Sequence, residues 1–195
     1  VILSDRDISA AVGRGAIVLD PFRPECLGPN SYDVHLGSTI LVYTRKQAYD
    51  PHGPSGPFDP IDAREDNPVE ELYPDRPAVP QSWLLMPCRV YLAVTEEYTE
   101  THEHIPYLDG KSSVGRLGVA IHATAGRGDI GFCNHWTMEL VVAQPVIVYA
   151  GMPIGQLTYH QATSRPENPY GSRAQSKYQG RDPRPQPSRM WKNFK

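Results

Sequence analysis

The sequence is short of cysteine and has no long apolar run. Its three cysteines, Cys26, Cys88 and Cys133, are an odd and scattered set in 195 residues. That argues against a disulfide framework and suits a reducing cytoplasm. No stretch approaches the roughly 20 apolar residues a membrane helix needs, so no membrane partner is expected. The opening Val1-Ile2-Leu3-Ser4-Asp5-Arg6 lacks a charged segment followed by an apolar one, so no secretory signal is expected either. Positive charge is also lacking overall. The net charge of -3 speaks against a nucleic-acid partner.

Charge is unevenly placed, however. Residues 164–195 carry eight lysines and arginines against Glu167 and Asp182, a net of +6, which leaves -9 for residues 1–163. The division read from this is a folded body over 1–163 and a basic, proline-rich tail over 164–195. Such a tail can reach for a polyanion, or can simply be solvated.

The body reads as mainly β. Ser4 and Asp7 form a capping-box pattern, so a short helix is expected from Asp5 to Val12, ending at Gly13 or Gly15. Strands are expected at Ala16–Leu19, at Tyr32–Leu36 and Thr39–Tyr43 around Gly37, and at Ser82–Leu85 and Val90–Thr95. His135–Val142 alternates, with Trp136, Met138, Leu140 and Val142 on one face. Val146–Tyr149 and Gln156–His160 follow, separated by a Gly151-Met152-Pro153 turn. Residues 45–80 are dense in proline and read as a long loop. Many short strands with a few short helices predict a β barrel or sandwich.

Three segments carry candidate chemistry. In Asp109-Gly110-Lys111-Ser112-Ser113-Val114-Gly115-Arg116, a short helix over Lys111–Leu117 would put Ser112 and Arg116 on one face. The Walker phosphate loop is excluded, because Ile105 stands where its first glycine belongs. In His122-Ala123-Thr124-Ala125-Gly126-Arg127-Gly128-Asp129, small residues let the backbone approach a ligand and read a flat base edge. Glu139 interrupts an apolar strand. It either faces water or is placed for proton transfer. Each segment taken alone is equally compatible with a plain turn or an exposed edge.

Taken together and in order, the blocks Ser4–Ile8, Pro29–Gly37, Gly110–Gly118, Thr124–Gly126, Met138–Leu140, Gly151–Leu157 and Ser176–Gly180 resemble the dCTP deaminase family of the dUTPase superfamily. The resemblance spans nearly the whole chain and is weakest over 45–80. It implies a distorted, jelly-roll-like β-barrel of the dUTPase fold, assembled as a homotrimer with sites shared between subunits. It also implies hydrolytic deamination of dCTP to dUTP and ammonia, with dCTP, dUTP and dTTP as the nucleotides bound. The zinc deaminase signature, H-x-E with P-C-x-x-C, is absent. His102-Glu103-His104 and Cys133-Asn134-His135 are the nearest metal-like clusters, and each is too small to close a site. No catalytic metal is therefore expected, and Mg²⁺ would come only with the triphosphate.

By the same resemblance Glu139 is the general base and proton carrier, with Ser112 and Arg116 orienting the water and stabilising charge. Ala123, Thr124 and Ala125 would recognise the base through the main chain, with His122 beside them and Asp129 near the sugar or a water. Lys111, Ser113, Gln156, Tyr170, Lys177, Gln179 and Arg181 fall on the remaining substrate-binding positions. Four positions depart from the family pattern. Ile130 replaces a proline, Gly128 an aliphatic residue and Arg181 a glutamine, while Asn134-His135 stands where a glycine and its neighbour are usual. Arg181 still suits phosphate. Gly128 suggests added room beside the base, so a 5-substituted dCTP is one alternative substrate. A bifunctional enzyme that continues to dUMP is another, because the tail resembles bifunctional members. A non-catalytic nucleotide-binding regulator on the same fold is the alternative from a different class, and a plain dUTPase is disfavoured by the lack of a tyrosine-bearing uracil motif.

Overall fold

The computed structural model describes residues 1–44, 61–76 and 80–194. Helix α1 spans Asp5–Gly13 and strand β1 Ile17–Asp20. Next come β2 (Leu27–Gly28), β3 (Ser31–Tyr43), β4 (Val69–Glu71), β5 (Ser82–Leu85), β6 (Tyr91–Thr101) and β7 (His104–Gly110). Helix α2 is Ser112–Gly115, and β8 (Val119–Ala120), β9 (Cys133–Val142), β10 (Val146–Tyr149) and β11 (Pro153–Gln161) complete the body. The central ladder runs β7-β11-β3-β6-β9-β8, with β1 joined to β6, β2 and β4 joined to β3, and β5 paired with β10. The sheet curls into the expected distorted barrel around one apolar core. Trp83, Tyr32, Tyr91, Ile40, Met138 and Leu140 are fully buried in it.

Helix α1 starts where its cap chemistry puts it. The Ser4 hydroxyl accepts from the Asp7 N–H, and the Asp7 carboxylate accepts from the Ser4 N–H, satisfying two otherwise orphaned donors. In β9 the residues Trp136, Met138, Leu140 and Val142 are buried and Glu139 is not, as the alternation requires.

The structure corrects three expectations. The two strands expected around Gly37 are one strand, β3, whose register against β6 shifts between Leu36 and Ile40. A bulge absorbs the irregularity without ending the strand. Strand β7 has no counterpart in the sequence reading. It lies at the end of the ladder and pairs with β11 along one edge. Along the other it meets residues 126–128, with Leu108 N–H donating to Gly126 O at 2.7 Å and Gly128 N–H donating to Pro106 O at 2.9 Å, so Pro106 serves that edge as an acceptor. Within the proline-rich stretch expected to be loop, Val69–Glu71 pairs with Leu41–Tyr43. The parts of that loop at 45–60 and 77–79 lie outside the described residues.

A polar knot sits at the β6 register shift, and sequence reasoning did not find it. Glu97 is fully buried. Its carboxylate accepts from the His35 N–H at 2.9 Å and from Arg23 Nη1 at 3.0 Å, and lies 2.6 Å from His35 Nδ1. Arg23 also reaches Glu96 at 2.5 Å. A buried carboxylate is tolerable only with partners of this kind.

Candidate active site

Glu139 leaves β9 on the face opposite the core and opens into a cavity of about 420 Å³. Its side chain is 35% exposed, so it sits at a mouth and is not buried. The Oε2 atom lies 2.9 Å from Nδ1 of His122, whose side chain is 10% exposed. Nδ1 therefore carries the proton in the arrangement that makes this hydrogen bond. His122 Nε2 is buried without a partner among the described residues. A half-exposed carboxylate held by a nearly buried imidazole is a fixed base that solvent and ligand can still reach.

Ala125 and Asp129 line the same cavity, as do Phe132, Trp136 and Thr137. The floor is aromatic. Phe132 packs on Trp136 at 4.9 Å between centroids and on Tyr170 at 5.9 Å. Trp136 Nε1 donates to Thr99 Oγ1 at 3.0 Å, which fixes the indole. Gly128 does not provide the added room expected of it. A Cβ there would lie 2.7 Å from Trp136 Cη2 and 2.9 Å from Pro106 Cγ. The absent side chain makes space for the indole.

Ser112, Lys111, Ala123 and Thr124 line a different cavity, also about 420 Å³. His122 belongs to this wall as well, so the loop after β8 runs from one cavity to the other. Lys111 Nζ lies 2.5 Å from Asp33 Oδ2. Gln156 stands beside them, opposite Asp33 in β3 and Asp109 in β7. Ser112, Ser113 and Arg116 are exposed on α2 and its C-terminus. The Arg116 guanidinium makes no ion pair with any described residue. The single chain thus presents two groups, Glu139 with His122 and Asp129 in one, Ser112 with Lys111 in the other. It does not bring Ser112 or Arg116 into the Glu139 cavity.

The tail lies across the outer face of β9. Tyr170 N–H donates to Ile130 O at 2.7 Å, and its hydroxyl accepts from the N–H groups of Lys177 and Tyr178. Gly131 makes this approach possible. Its φ is +95°, and a Cβ would lie 2.4 Å from Tyr170 O. The Gln179 amide accepts from Cys133 N–H and donates to Gly131 O, both at 3.0 Å. Both ends of that side chain hold the tail in this conformation. Arg181 stacks on Tyr98 at 4.0 Å and pairs with Asp20 at 3.2 Å.

Sequence reasoning missed several residues that close the cavity. Gln186 N–H donates to Thr137 Oγ1 at 2.9 Å, and Ser188 N–H donates to the Tyr43 hydroxyl at 3.0 Å. Burial pushes the Tyr43 phenol up, so it stays a neutral wall. Gln186 and Ser188 line the cavity with Tyr43 and Tyr178. They belong to the tail beyond its matched block, and no local pattern marks them.

A family model described as dCTP deaminase-like matches residues 2–162. A "dCTP deaminase, dUMP-forming" from Cytophaga hutchinsonii is 37% identical over all of this chain and 99% of its own length. One from Clostridium acetobutylicum is 35% identical over the same shares. Among solved structures, a 2'-deoxycytidine 5'-triphosphate deaminase from Agrobacterium tumefaciens superposes with a TM-score of 0.57 at 20% identity. It covers 83% of this chain and 48% of the other, a likeness of fold. On these matches the chain belongs to the dCTP deaminase-like family.

Proposed function

We propose that the protein converts dCTP to dUMP, releasing ammonia and diphosphate. The names of its full-length relatives favour this over a reaction that stops at dUTP. The observation that carries the deaminase half is the Glu139–His122 pair opening onto an aromatic cavity. Glu139 takes a proton from the water that adds to C4 of cytosine and gives it to ring N3. A second proton, from the new C4 hydroxyl, moves to the amine, which leaves as ammonia, and a second water hydrolyses the bond between the α- and β-phosphates. His122 holds the carboxylate Oε2 on line. Asp129 and the main chain at Ala123–Ala125 position sugar and base. Mg²⁺ enters as part of the nucleotide substrate, bound to its phosphates and water. Lys177 supplies positive charge from the tail, whereas Arg181 is held by Asp20 and the Tyr98 ring.

The reading includes a homotrimer. Ser112 and Arg116 of one subunit complete the cavity around Glu139 of another. The separation of the two groups within one chain supports this, since each is incomplete by itself. Oriented donors of the Ser112 type contribute about 10²–10³ in rate when they face developing charge.

Two experiments test the proposal. Chromatography of a dCTP reaction should show dUMP and diphosphate, and dUTP accumulating with no diphosphate would overturn the dUMP-forming half. Co-expressed Glu139→Gln and Ser112→Ala chains, each inactive alone, should regain activity toward about a quarter of the wild-type value. In a mixed cyclic assembly one site in four, roughly, draws both intact residues from different chains. Mixed assemblies no more active than either variant would place the site within one chain.

A further inference from the structure

The two metal-like clusters in the sequence, His102-Glu103-His104 and Cys133-Asn134-His135, are each too small to close a site. The fold takes one residue from each. Glu100 of β6 and Cys133 of β9 are cross-strand partners, and His102 follows Glu100 by two residues at the turn into β7. A carboxylate oxygen of Glu100, a ring nitrogen of His102 and the Cys133 sulfur all lie within 4.8 Å of one another. His102 Nε2 is 2.8 Å from Glu100 Oε2, and the Tyr98 hydroxyl donates to Glu100 Oε1 at 2.8 Å.

We propose that Glu100, His102 and Cys133 bind a divalent ion of the zinc class, and that this ion fastens the tail. It would lie about 20 Å along β9 from Glu139, six residues at a strand's rise, too far to touch the reacting base. The site therefore goes beyond the deaminase reading and does not depend on it.

The donor set selects the ion. Thiolate, imidazole and carboxylate suit zinc, whereas magnesium and calcium prefer all-oxygen shells. Thiolate and carboxylate together offer two negative charges, which a divalent ion neutralises. Bond lengths of about 2.0–2.3 Å put neighbouring tetrahedral ligand atoms about 3.3–3.6 Å apart. The imidazole must swing out by about 0.5 Å from its present contact while the thiol moves in and gives its proton to water. The His102 side chain is 47% exposed and can make that move. Tyr98 already holds the other carboxylate oxygen, the outer-shell support that metal-ligating carboxylates usually have. Water would fill the fourth position.

The same residues carry the tail. Cys133 N–H donates to Gln179 Oε1, and Gly180 N–H donates to Cys133 O at 3.2 Å. Arg181, occupied by Asp20, lies on the Tyr98 ring whose hydroxyl bonds Glu100. An ion that fixes Cys133 and Glu100 fixes the seat of Gln179, Gly180 and Arg181.

The test is a cobalt(II) titration of the metal-stripped full chain, followed by zinc competition and by trypsin digestion with and without zinc. One cobalt per chain is expected, with a thiolate-to-cobalt charge-transfer band that zinc abolishes. Cys133→Ser should remove the band, Cys26→Ser and Cys88→Ser should leave it, and His102→Gln should weaken binding at least about tenfold. His102→Gln changes an exposed ring, so it keeps the test meaningful if Cys133→Ser folds poorly. Zinc should slow cleavage within 164–194 in the wild type and not in His102→Gln. No band, a band that survives Cys133→Ser, or affinity unchanged in His102→Gln would overturn the site. Cleavage indifferent to zinc would overturn its role in fastening the tail.

Discussion

Replacing His122 by phenylalanine keeps a ring in place and removes the 2.9 Å bond from Nδ1 to Glu139 Oε2. A hydrogen bond to a charged group is worth about 1.5–3 kcal/mol. At about 1.4 kcal/mol per factor of ten, the expected loss in kcat is about 10- to 150-fold. KM should change little, because the bond orients the carboxylate and does not bind the nucleotide. The assay is ammonia release from dCTP, run on His122→Phe, Glu139→Gln and the double variant. Glu139→Gln should lose about 10²–10⁴ in kcat, the usual contribution of a positioned acid–base group. In the double variant the His122 substitution should cost almost nothing further, because the group it orients is already gone. A double variant that shows the full product of the two single losses would refute the reasoning. His122 would then act on the substrate or on folding, independently of Glu139.

Three further outcomes follow from particular contacts. Gly131→Ala meets both the +95° φ and the Tyr170 carbonyl, so it should release the tail; limited proteolysis should show faster cleavage within 164–194, and unchanged protection would refute this. Arg23→Met leaves the buried Glu97 with only His35. Removing one partner of a fully buried pair costs about 3–5 kcal/mol, so with Arg23 30% exposed we expect about 2–3 kcal/mol. That should appear as a fall of about 4–12 °C in Tm, and a loss under about 1 °C would show that the knot contributes little. Burial pushes the Tyr32 phenol up to about 12 from its usual 10. The native state then holds this proton where the unfolded chain has lost it, so this contribution is full below pH 10 and declines as pH rises toward about 12. Denaturation midpoints should fall over that window in the wild type and less steeply in Tyr32→Phe; equal slopes would refute the assignment.

Much of the site was legible as separate pieces. Glu139 stood out because a charged residue broke an apolar alternation, and the strand places it on the solvent face. Ser112 and Arg116 share a helical spacing, and α2 with its C-terminal cap delivers it. Collinear blocks supplied the family. Other features had no local signature. Strand β7 begins His104-Ile105-Pro106, a pattern that resembles a turn until β11 is laid against it. Gly128 looks like freed volume in the sequence, because the tryptophan that fills it is eight residues further on, in β9. Gln179 falls on a substrate-binding position by resemblance, and only the fold shows that its amide spans two backbone groups of the segment entering β9.

Features that depend on neighbours along the chain can be read from residue order alone. The cap of α1, the alternation of β9 and the charge contrast between body and tail are such features, set by short-range sterics, hydrogen bonding and composition. Which distant groups meet is set by the folded sheet. Glu139 with His122, Glu97 with Arg23 and His35, and Cys133 with Glu100 and His102 are juxtaposed by ladder register and by loops returning to the sheet. A one-residue slip in that register would turn alternate side chains to the opposite face. Contacts between elements far apart in sequence follow from burying one shared apolar core, and no short segment encodes that outcome.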